Sequence, residues 1–71
     1  MKISVSLESP PDRDKLVAAI ICDDEQWAEV DQEKGALTIE FYPRCDGKPW
    51  IISYEDALSA LQLAKIRLID S

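Results

Sequence analysis

Acidic side chains are the most concentrated chemical groups in this sequence. Six of them fall within residues 23–33: Asp23, Asp24, Glu25, Glu29, Asp31 and Glu33. General acid–base catalysis uses His or carboxylates with shifted pKa values, and the chain contains no His. The run also lacks the spaced oxygen ligands of a calcium-binding loop. We therefore expect a solvated, charged hairpin or, alternatively, an acidic patch that binds a basic protein and accelerates association.

The two cysteines, Cys22 and Cys45, have no His in the chain to activate them as nucleophiles. Arg44 adjoins Cys45 and would favour its thiolate if the two side chains met. Two isolated cysteines are too few for a disulfide scaffold and, without His, for a structural zinc site. We expect two reduced thiols, with a single disulfide bridge as the alternative.

Nucleotide-binding motifs are missing as well. The chain has no GxxxxGK[ST] pattern, and its two glycines cannot form a dinucleotide fingerprint. No set of nucleophile, base and oxyanion donors can be assembled from the sequence. We therefore predict no catalytic residue, no metal and no cofactor, and the protein is not expected to be an enzyme.

The elements that position these groups must fit into one small domain, residues 1–71. The net charge of −6 argues against nucleic-acid binding and against an anionic membrane surface. No apolar run has the length of a signal peptide core or of a membrane-spanning helix. These features predict a cytoplasmic protein.

Strict alternation of apolar and polar residues predicts strands at residues 2–8, 26–32 and 36–42. Residues 26–42 form a predicted hairpin, with its turn at residues 33–35. In its first strand, Ala28 and Val30 face one side, and Trp27, Glu29 and Asp31 face the other.

Residues 13–22 are ambiguous, because a short apolar run with β-branched residues fits a strand or a helix. We favour a strand over residues 16–22, since Asp23-Asp24-Glu25 has the composition of a turn. This assignment decides whether the sheet has three or four strands.

A C-terminal helix is predicted over residues 54–69, which lack Gly and Pro, with Ser53 as its N-cap. A helical wheel predicts one apolar face that covers the sheet: Tyr54, Ala57, Leu58, Leu61, Ala64, Leu68 and Ile69. Leu63 and Ile66 fall on the far side, where they are either covered by the 43–52 loop or exposed for self-association. A homodimer would form through helix pairing or through sheet-edge pairing.

The loop at residues 42–50 combines two aromatic residues, two bases and turn-forming residues. Trp50 and Tyr42 are expected to fix this loop onto the sheet or the helix end, with Asp46-Gly47 making the turn. The alternative is a binding loop, because Trp, Tyr and Arg are frequent interface anchors.

The C-terminal half also carries a resemblance. It contains, in order, the run from Ile39 to Arg44, then Asp46-Gly47, Pro49-Trp50 and the helical residues 57–68. This order resembles that of small uncharacterised bacterial proteins. The resemblance implies a bacterial source and the same succession of strand, loop and helix, and it implies no activity.

The predicted fold is α+β: an antiparallel meander of three to four strands with one C-terminal helix packed on one face. The predicted function is that of a small acidic, non-catalytic interaction protein, such as an inhibitor or immunity-type protein with a basic protein partner. The alternative is a self-associating, homodimeric structural or regulatory domain. The candidate interaction residues are Trp27, Glu29, Asp31, Tyr42, Arg44, Trp50, Leu63 and Ile66.

Overall fold

The structure, a computed structural model, describes residues 1–70 and has the predicted α+β architecture. Four antiparallel strands follow one another across the sheet: β1 (Ile3–Glu8), β2 (Val17–Cys22), β3 (Glu25–Asp31) and β4 (Thr38–Phe41). One helix, α1 (Tyr54–Asp70), packs on β1, β2 and β3. The ambiguous segment is therefore a strand, as favoured, and the meander has four strands.

A two-residue turn joins β2 to β3. Asp23 and Asp24 both adopt positive φ angles, 48° and 71°, which lets the turn match the twist of the strands. Cys22 pairs with Glu25 on either side of the turn, but the register shifts between Ile20 and Ile21. This shift is a β-bulge, and it inserts one extra residue in β3.

The bulge corrects the predicted position of Trp27. The sequence placed its ring on the face opposite Ala28, but Trp27 is only 8% exposed and belongs to the core that α1 covers. Strict alternation fails here because β3 carries one residue more than β2 between the paired positions. Trp27 is therefore a core residue, not an exposed aromatic side chain.

Small side chains let α1 approach the sheet closely. Ala60 and Ala64 on the helix are buried, and so are Ala18 and Ala28 on β2 and β3. Ser53 caps the helix as predicted: its Oγ accepts from the Asp56 N–H at 3.1 Å.

The predicted helix face is only partly correct. Ala57, Leu61, Ala64 and Leu68 pack against the sheet, and Ala60 joins them although it was not included. The remaining three predicted members are exposed: Tyr54, Leu58 and Ile69. The reason is that α1 lies over β1, β2 and β3 but not over β4, so its flank nearest β4 has no strand beneath it.

Candidate functional site

The open face of the sheet carries a charged cluster centred on Arg13. Its guanidinium lies 3.0 Å from Glu29 Oε2, 3.0 Å from Asp31 Oδ2 and 3.7 Å from Glu40 Oε1. Asp31 is buried, and burial raises the pKa of Glu29, with the Arg13 charge opposing that rise. Two of the predicted interaction residues are thus already paired within the chain.

Arg13 was not singled out from the sequence, because its position depends on the register of the hairpin that it faces. In the hairpin register Glu29 lies directly opposite Glu40, and two facing carboxylates need a cation between them. Lys15 helps to hold the same loop, because its backbone N–H donates to Glu33 Oε1 at 2.9 Å.

The loop at residues 42–50 is fixed to the sheet. Trp50 donates its indole N–H to the Tyr42 carbonyl at 2.8 Å, and the Arg44 guanidinium lies 5.3 Å from the Trp50 ring centroid. Arg44 also lies 3.7 Å from Glu25, and Gly47 turns the chain with a φ of 75°. The structure therefore brings together three predicted site residues, Tyr42, Arg44 and Trp50.

Cys45 is held in its thiol form by Glu25. The backbone N–H and the thiol of Cys45 both donate to Glu25 Oε1, at 2.9 and 2.7 Å. These bonds raise the pKa of Cys45, with the thiol bond as the largest cause, and lower the pKa of Glu25. Arg44 therefore does not activate the thiol. Both cysteines are free, so the predicted alternative of a disulfide bridge between Cys22 and Cys45 is wrong.

The edge of β4 exposes unpaired backbone groups. Tyr42 N–H donates to the Trp27 carbonyl at 2.9 Å, one residue beyond the Ala28–Phe41 pair. Because this bond flanks the Ala28–Phe41 pair, Ala28 and Phe41 form a non-hydrogen-bonded pair of the antiparallel ladder. The N–H and C=O of Phe41 therefore point away from β3. Ile39, two residues earlier, does the same. Within residues 1–70, no partner bonds these outward groups.

An apolar groove runs beside this edge, between β4 and α1. Its volume is about 200 Å³, and it is lined by Val30, Leu37, Ile39, Leu61, Gln62 and Lys65. Leu37 and Ile39 are each 40% exposed, and Phe41, whose ring centroid lies 5.5 Å from that of Trp27, is 59% exposed. We call the unpaired edge, these three side chains and the groove the β4 surface.

The predicted interaction residues do not form one surface. Leu63 and Ile66 are exposed, so the 43–52 loop does not bury them, but Leu63 lies beside Ile3 of β1, away from β4. Glu29 and Asp31 lie on the open face, and Trp27 lies inside the core. The sequence left sheet-edge pairing open but did not single out Leu37, Ile39 and Phe41, because their exposure depends on where α1 packs.

Comparisons with known proteins identify no family for this chain. No protein-family model, curated protein or solved structure matches the chain. Across residues 1–70, no group of three or more Cys, Asp or Glu side chains is arranged to hold a metal ion. No helix in this range combines the length and apolarity needed to cross a bilayer. The resemblance to bacterial proteins stays a prediction.

Proposed function

We propose that this is a small, non-catalytic interaction protein that binds an extended polypeptide segment along the β4 surface. The observation that carries the proposal is the outward direction of the Ile39 and Phe41 backbone groups, which are unbonded in the described part of the chain. An edge strand with such groups is a template for a further strand.

The side chains beside the edge support the same proposal. Leu37, Ile39 and Phe41 lie next to one another on the helix side of the sheet, together with the groove. In strand addition, backbone bonds supply much of the affinity, and pockets for alternate side chains supply specificity. The groove is such a pocket for an apolar side chain of the added strand.

The chemistry of Cys45 supports a non-catalytic role. A cysteine nucleophile acts as its thiolate, but the bond to Glu25 favours the protonated thiol and raises its pKa. The exposed thiol therefore lacks the activation that a catalytic cysteine needs.

An inhibitor or immunity-type role with a basic partner has weaker support. It needs free carboxylates on the hairpin, but Glu29 and Asp31 bind Arg13, and Glu25 binds Cys45 and Arg44. Asp23 and Asp24 remain exposed at the turn, and the net charge of −6 would still attract a basic protein. Such binding would weaken as salt rises.

The test is a titration of dilute, ¹⁵N-labelled protein with a short peptide of alternating valine and threonine. We expect the amide signals of Ile39 and Phe41 to shift most, because these N–H groups would donate to the added strand. A control peptide, methylated at alternate backbone nitrogens, should leave them in place. If the peptide shifts neither amide, or shifts only signals of β1, the proposal is wrong.

A further inference from the structure

We infer that the strand bound by β4 is the β4 strand of a second copy of this chain, paired antiparallel about a twofold axis at Ile39. This inference rests on the proposed function, because it names the partner of the same surface. The pairing joins two four-stranded sheets into one continuous sheet, with both helices on the same face.

The backbone favours this register over its neighbours. The outward-pointing positions are Leu37, Ile39 and Phe41, by the two-residue period of the strand. When the axis passes through Ile39, all three residues face outward-pointing residues of the second copy. Leu37 faces Phe41, and Ile39 faces Ile39. Moving the axis by one residue in either direction pairs only two of them.

Charge disfavours the register centred on Glu40. That register would place Glu40 directly opposite the same residue of the second copy, with Cα atoms about 4.5 Å apart. The register centred on Ile39 instead places Glu40 opposite Thr38 of the second copy. Arg13, 3.7 Å from Glu40, remains available as a partner on the same face.

The side chains are complementary in the same register. Phe41 of the second copy comes to lie beside Leu37, which lines the groove between β4 and α1. Phe41 is 59% exposed in the single chain, so it is free to enter an interface. Because the axis is twofold, each copy provides one aromatic ring and receives one, as in a self-complementary interface.

The dimer should be weak and favoured by salt. The helices lie over β1, β2 and β3, so they do not meet across the axis, and the interface is small. Each copy carries a net charge of −6, so the copies repel one another until salt screens the charge. Salt thus strengthens self-association, whereas it would weaken binding to a basic partner.

The register is tested by disulfide trapping in a Cys45→Ser background, which leaves only the buried Cys22. Thr38→Cys and Glu40→Cys are prepared separately and oxidised alone or as a mixture. We expect the mixture to form a covalent dimer and each variant alone to form little. Residues 38 and 40 face each other across the axis, in a pair close enough for a disulfide bond.

Each other outcome overturns the inference. Trapping of Glu40→Cys alone would show a register centred on residue 40, and no trapping, with a monomeric mass at high protein concentration, would show that β4 does not self-pair. The wild-type mass should increase with protein and salt concentration, whereas Ile39→Lys should remain a monomer with an unchanged circular dichroism spectrum. If self-pairing fails but the valine–threonine peptide still shifts Ile39 and Phe41, the proposed function survives with a different partner.

Discussion

The two edges of the sheet differ in one outward backbone group. At the β1 edge, the outward-pointing residues are Ile3, Val5 and Leu7, and one of their backbone groups is bonded: Arg67 donates to the Val5 carbonyl at 2.6 Å. At the β4 edge, Ile39 and Phe41 direct unpaired groups outward, as far as residues 1–70 show. Proteins usually block open edges because they template aggregation. The bond to the Val5 carbonyl interrupts the ladder that a further strand would form along the middle of β1, and no such bond interrupts it along β4 within residues 1–70. We therefore expect an added strand to bind at β4.

The edges also differ in what supports them. β1 lies under α1, whose side chains bury Val5. β4 is held on the helix side by the contact of Phe41 with Trp27, and on the open face by Arg13 near Glu40. Beyond its backbone pairing with β3, β4 is therefore supported by two side-chain contacts, whereas β1 is supported by a helix.

The largest effect should come from Trp27→Ala, which removes the support behind β4. We expect a loss of about 3–5 kcal/mol in the free energy of unfolding, because a large buried ring leaves a cavity. Tyr54→Ala removes an exposed ring from α1 and serves as the control, with an expected change within about 0.5 kcal/mol. Urea unfolding followed by circular dichroism measures the free energy of unfolding of both variants. An equal loss in the two variants would contradict the placement of Trp27 in the core.

Trp27 also shows where sequence reasoning stops. The alternation in residues 2–8 and 36–42 and the Gly-free run at 54–69 are local patterns, and each gave the correct element. The side that Trp27 faces depends on a bulge opposite Ile20 and Ile21, a property of the pairing between strands and not of either strand alone.

The candidate site was harder to predict for the same reason. Leu37, Ile39 and Phe41 alternate with polar residues, as in the core face of a strand, and the sequence predicts a helix packed on one face of the sheet. They stay exposed because α1 packs on β1, β2 and β3 and not on β4. The role of Arg13 likewise follows from a loop that crosses to the open face, which no local pattern in residues 9–16 indicates.

A smaller effect is expected from Arg13→Ala, which removes the support of β4 on the open face. Burial already raises the pKa of Glu29, so ionisation of this carboxyl costs more in the folded state than in the unfolded chain. Without the opposing Arg13 charge this pKa rises further, and the ionised carboxylate becomes more costly at neutral pH. The variant should therefore be clearly less stable than wild type at pH 7 and should recover part of that difference at about pH 4, near the ordinary range of a Glu.

Lys15→Ala is the matched control for this change, because it removes a neighbouring positive charge while the Lys15 backbone keeps the bond to Glu33. It should lower the urea midpoint little at either pH. A difference between Arg13→Ala and wild type that is the same at both pH values would show that Glu29 is not linked to Arg13 in the way the geometry indicates.

The smallest effect on stability is expected from Arg67→Ala. The loss should be about 1 kcal/mol, because the variant removes one hydrogen bond from a charged donor at a partly solvated site.

The effect of Arg67→Ala on association should be larger than its effect on folding. Removal of the guanidinium frees the Val5 carbonyl, the one outward group of β1 that is bonded, so further strands could pair along both edges, and such contacts continue without closure. Sedimentation velocity should then show species heavier than a dimer that grow with concentration, whereas Arg67→Lys, which keeps a donor, should restore the wild-type distribution. Adding Ile39→Lys to Arg67→Ala should remove the heaviest species, because only one edge stays open. A sedimentation profile of Arg67→Ala identical to that of wild type would show that the Arg67 bond does not prevent strand pairing at β1. A preference for pairing at β4 would then have another origin.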